Sequence, residues 1–103
     1  MLATAMAATP AIAGPAVASR WWPIDLPHEE CLKRAEVTIR NTALTMPEST
    51  EESRYGTQRE YTGVVRCLTG MKVVVFIGSG PARAIADQLA GALLNNFRAA
   101  ETK

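Results

Sequence analysis

Histidine occurs once and cysteine twice in this 103-residue chain, and aromatic residues make up only 6% of it. A structural zinc site built from four His and Cys ligands is therefore one ligand short. Charge of either sign is also lacking in excess. Eleven Lys and Arg stand against ten Asp and Glu, a net charge of +1, so the broad basic field that drives sequence-independent nucleic-acid binding is absent and no nucleic-acid partner is expected. No Gly-x-Ser-x-Gly elbow occurs, and His28 stands at an expected helix start, so no nucleophilic constellation can be assembled and no catalytic residue is expected. No Cys-x-x-Cys pair points to redox catalysis.

The charges present are distributed unevenly. Residues 1–19 carry no charged side chain, but eight alanines, two prolines and one glycine. The stretch Leu2 to Ala18, ending in the small-x-small sequence Ala16-Val17-Ala18, reads as the apolar core of an export signal, although the positive start of such signals is missing. An uncleaved membrane anchor over residues 2–18 is the alternative; about 20 uninterrupted apolar residues suit a span, and Pro10 and Pro15 interrupt this one. A disordered Ala/Pro arm is the third possibility. The domain organisation that follows is a signal-like segment over residues 1–18, a Trp/Pro lead-in over 19–26 and one domain over 27–103. The expected location is periplasmic or secreted.

An even cysteine count in a small domain behind such a segment reads as one disulfide, Cys31–Cys67. Closing a loop of that length is worth about 4 kcal/mol through the entropy of the unfolded chain.

Pro23 and Pro27 hold the residues before them out of the helical region, and a helix is expected from about Pro27 to Thr42. Its apolar stripe is Cys31, Leu32, Ala35, Ile39 and Ala43. Thr45 to Glu52 is polar, with a proline and the acids Glu48, Glu51 and Glu52, and reads as a loop. Beyond Ser53 the period becomes two: Tyr61, Gly63, Val65 and Cys67 fall on one face, and Thr62, Val64 and Arg66 on the other. Val73 to Ile77 is the clearest strand, rich in β-branched residues. After Gly78-Ser79-Gly80, a helix beginning at Pro81 places Ile85, Leu89, Leu93 and Phe97 on one stripe. The fold class is α+β in the order α-β-β-β-α: a three-stranded antiparallel sheet with two helices on one face and one disulfide.

Three places invite a functional reading. The strand running into Gly78-Ser79-Gly80 looks like a dinucleotide-binding turn, but Arg83 stands where the third glycine is needed and no second parallel strand follows; no cofactor is expected. What survives is an anion site for phosphate or carboxylate at Ser79, Gly80 and Arg83. His28 with Glu29 and Cys31 offers at most half a metal site, and no metal is expected because an oxidised Cys31 supplies no thiolate. Finally, Trp21, Trp22, Tyr55, Tyr61, Val64, Val74 and Phe76 form a candidate interface, since the sheet face opposite the helices carries more apolar surface than water favours.

Trp22-Pro23, Cys31-Leu32 with Ala35, Tyr55-Gly56, Val65 with Cys67, the Val73 to Ile77 strand and a closing amphipathic helix together resemble the small exported bacterial proteins of no assigned activity. The resemblance covers about residues 21 to 97 and implies architecture and location only. The expected function is that of an exported, non-catalytic protein-interaction module, an accessory or inhibitory partner of another envelope protein or a homodimer. Anion binding at the Gly78 to Arg83 turn is the alternative and an unrecognised enzyme the third; a membrane enters only if residues 2–18 stay attached.

Overall fold

A computed structural model describes residues 15–101, so residues 1–14 of the signal-like segment lie outside it. The element order is β1 (Ala16–Pro23), α1 (His28–Asn41), β2 (Thr45–Ser49), β3 (Ser53–Gln58), β4 (Tyr61–Leu68), a 3-10 turn at Thr69–Met71, β5 (Val73–Gly80) and α2 (Arg83–Glu101). The fold is α+β with one disulfide, but the sheet has five strands rather than three, in the order β1-β5-β4-β3-β2 and antiparallel throughout.

The two additional strands are the sheet's edges, where sequence signals are weakest. Ala16 to Pro23 is no free lead-in: it pairs with β5 from Ala16 opposite Gly80 to Pro23 opposite Val73, and Ile24 N–H continues the contact to the Lys72 carbonyl at 3.0 Å. A boundary at residue 18 therefore falls inside β1. Thr45–Ser49, expected as loop, is an edge strand paired only with β3 and with a shifted register. Pro47 has no N–H to give to a ladder, which an edge tolerates and a centre does not.

Helix α1 buries Cys31, Leu32, Ala35 and Ile39, as the 3.6-residue spacing predicts, and also Thr38, whose hydroxyl donates to the Arg34 carbonyl at 2.8 Å. Ala43 does not extend the stripe. It is exposed and left-handed, with φ 63°, and it closes the helix: its N–H reaches the Arg40 carbonyl at 3.0 Å, while Leu44 N–H reaches the Ile39 carbonyl at 3.2 Å. That pair of bonds is a Schellman cap, in which glycine usually occupies the left-handed position.

Helix α2 begins at Arg83, two residues later than Pro81. Its fully buried stripe is Ala86, Ala90, Leu93 and Phe97, with Ile85 and Leu89 at the flank and only half-buried. The small residues are needed because α2 lies almost on the sheet: a Cβ at Gly78 would come within 2.4 Å of the Ala86 carbonyl oxygen and 2.8 Å of the Ala90 nitrogen. Both helices pack on one face, α1 over β3 and β4, α2 over β5 and β1. Between helices and sheet lies the core, where Phe76 and Phe97 meet edge-to-face at 5.4 Å between centroids. The Cys31–Cys67 disulfide ties the first turn of α1 to β4, with the Cα atoms 6.1 Å apart and both residues buried.

Replacing both cysteines by alanine is expected to lower the unfolding free energy by about 4 kcal/mol, read from urea titration of the oxidised and cysteine-free proteins. Ala43→Gly should act oppositely and raise stability by about 1 kcal/mol, since glycine carries no Cβ penalty in the left-handed region. An unchanged or lowered midpoint would contradict the cap described above.

Candidate functional site: the open face of the sheet

The side of the sheet away from the helices is set by register. A turn of four residues, Thr69 to Lys72, connects β4 to β5, with Lys72 in the left-handed region at φ 57°. It brings Leu68 opposite Val73, and thence Arg66 opposite Val75 and Val64 opposite Ile77. Residues opposite one another in a ladder share a face. Val64, Val73, Val75 and Ile77 therefore lie on the open side, whereas Val65, Cys67, Val74 and Phe76 face the helices.

This corrects the expected interface. Val74 and Phe76 are fully buried in the core and have no part in an exposed face. Trp22 also lies on the helix side, packed against the core, with the Arg98 guanidinium 4.2 Å from its ring centroid. Tyr61 shares that side, its ring near the position a Cβ of Gly80 would take. Of the seven residues singled out, Trp21, Tyr55 and Val64 are on the open face. Val17, Val73, Val75 and Ile77 join them unforeseen. Val73 to Ile77 is apolar at every position, so the run shows no alternation, and only the length of the preceding turn reveals its parity.

The open face is ordered in rows across the strands. Ser19, Ile77, Val64 and Tyr55 form one row, Trp21, Val75, Arg66 and Ser53 the next. A third row, Val17, Ser79, Thr62 and Thr57, borders the first on its other side. Apolar residues thus occupy the middle and hydroxyl groups one border. Val17 and Trp21 are 58% and 66% exposed. Across β1, β5, β4 and β3 the one charge in these rows, Arg66, is neutralised: it forms an ion pair with Glu52 and donates to Ser53 Oγ at 3.2 Å; on the edge strand β2, Glu48 stands opposite Tyr55 and ends the first row with a charge. Among the described residues no helix packs on this side.

The other candidate groups are arranged differently from what a ligand site requires. Ser79 and Gly80 continue β5, Ser79 paired with Val17 on one side and Thr62 on the other, Gly80 with Ala16. Their backbones belong to the strand ladder rather than to a free turn, and Arg83 stands exposed at the start of α2. His28 is tethered at both ring nitrogens. Nε2 lies 2.7 Å from the Glu51 carbonyl oxygen and Nδ1 2.9 Å from Thr69 Oγ1; a carbonyl only accepts, so Nε2 carries a proton. The ring fastens the start of α1 to the β2–β3 connection and to the turn before β5, beside a cleft of about 580 Å³ that Leu32 and Met71 also line. Cys31, its would-be co-ligand, is spent in the disulfide. No group of three or more His, Cys, Asp or Glu gathers among the described residues.

No protein-family model matches the chain, and no curated protein matches it.

Adjacent valines test the register directly. Val74→Ala should cost about 2 kcal/mol, the loss of a fully buried side chain, while Val75→Ala in the monomeric protein should cost less than about 1 kcal/mol. Equal costs, or the reverse order, in urea unfolding would overturn the assignment of faces.

Proposed function

We propose that the protein is an exported, non-catalytic interaction module that works by contact with another protein subunit in the cell envelope, in an accessory or inhibitory role, through the open face of its sheet. The observation carrying this reading is the half-buried apolar centre formed by Val64, Val75 and Ile77 on the side away from the helices, with Trp21 exposed beside it. Scattered apolar residues are normal on a protein surface, whereas a contiguous apolar patch rimmed by polar groups is the usual form of a contact site. The neighbouring hydroxyls fit such a rim.

Support for export comes from the disulfide, which persists in oxidising compartments and is rare in the cytosol. Among the described residues no helix is long and apolar enough to cross a membrane. Processing after Ala18 would strip Ala16 to Ala18 from the ladder with β5. The earlier small-x-small sequence Ala11-Ile12-Ala13 offers a cut that leaves β1 whole, and export processing falls there.

A photo-crosslinking residue placed at Ile77 should yield a discrete protein adduct in the native cells, while the same residue at Val37, on the exposed side of α1, should yield none. Absence of any Ile77 adduct would overturn the reading.

A further inference from the structure

We infer that the protein covering the open face is a second copy of this chain, so that two sheets pack face to face with the four helices outside. This rests on the interaction reading above and names its partner. Charge points first to a like partner. Over β1, β5, β4 and β3 the cross-strand rows built on Val17, Ser19 and Trp21 contain one charged side chain, Arg66, already paired with Glu52, and the next charge, Glu48, lies out on the edge strand β2. A foreign surface selected by charge would find nothing to recognise at the centre of the face. Two identical faces with uncharged centres, by contrast, meet there without repulsion, and a self-complementary patch is what a two-fold dimer uses.

Area is the second argument. Strands β1, β5 and β4 run for eight residues each and β3 for six. At about 4.8 Å between strands and about 3.3 Å per residue, the face measures roughly 19 by 26 Å, about 500 Å² before side-chain relief is counted. Two such faces bury about 1,000 Å², where specific interfaces begin. Chemistry is the third. The centre is β-branched, as in the inner layers of β-sandwiches whose sheets pack about 10 Å apart. Trp21 and Tyr55, at opposite sides of that centre, are of the residue types that anchor interfaces.

The test uses the full chain with its disulfide intact, by sedimentation velocity and light scattering at tens of micromolar. The expected mass is twice that of the single chain, 11.1 kDa when unprocessed. Ile77→Lys, and Trp21→Asp at a site already exposed, should each return it to the single-chain mass with an unchanged far-ultraviolet spectrum, while Val37→Lys should leave the dimer intact. Because Trp21 is already exposed, its variant keeps the test decisive should Ile77→Lys fail to fold. A wild-type protein of single-chain mass overturns the inference, as does a dimer that survives both open-face substitutions. If the wild type is monomeric and Ile77 crosslinks to a different protein, the second copy is excluded and the interaction reading stands. If it is monomeric and its tryptophan emission shifts only with phosphatidylcholine vesicles, a lipid surface is the occupant and both readings fall.

Discussion

The four-residue connection between Leu68 and Val73 is the constraint on which the rest of the architecture depends. β5 pairs with β4 on one side and β1 on the other, so the turn that sets its register also sets which side of three strands faces the helices. One residue more or less would send Val75 and Ile77 into the core and bring Val74 and Phe76 to the surface, because side chains alternate with a period of two. The core could not absorb that exchange. Phe76 is the sheet's contribution to the aromatic contact with Phe97, and Gly78, which shares its face, is where α2 approaches too closely for any side chain.

Around that register the remaining devices fasten helices to sheet at separate points. The disulfide holds the start of α1 over β4, and His28 links the same turn to Glu51 and Thr69. Arg54 reaches Glu36 on α1 at 2.8 Å. On the other half, Arg98 stacks on Trp22 and Arg20 pairs with Asp87, both joining α2 to the edge strand β1. Such an exposed ion pair contributes little by itself, but each of these contacts acts on the helix side. They leave the opposite side of the sheet to its own side chains.

The elements legible in the sequence are those whose burial leaves a pattern. The stripe of α1, the alternation of β4 and the β-branched run of β5 each follow from a face shielded from water, and a lone cysteine pair leaves one possible connection. The edges are less legible. β2 is polar and contains a proline, and β1 reads as a proline-punctuated arm, because an edge strand owes its shape to a single neighbour. The Schellman cap after α1 is hidden by alanine at the position where glycine would announce it. For the candidate site, Val64 was within reach of the alternation of β4, and Trp21 and Tyr55 stood out by residue type, but Val75 and Ile77 were hidden: a strand apolar on both faces has no alternation to read. Ser79 and Gly80 misled for a related reason, since a strand that ends in Gly-Ser-Gly looks like a turn until its partner β1 is known.

The decisive question is whether Val64, Val75 and Ile77 form a face that the chain's own helices leave open and that a second copy of the chain covers. Methyl NMR with a soluble paramagnetic agent tests both halves at once. In dilute protein the methyls of Val64, Val75 and Ile77 should be strongly broadened and those of Val74 and Val65 unaffected, and on concentrating the sample the first set should become protected. Broadening of Val74, or open-face methyls that stay accessible at every concentration, would contradict the account.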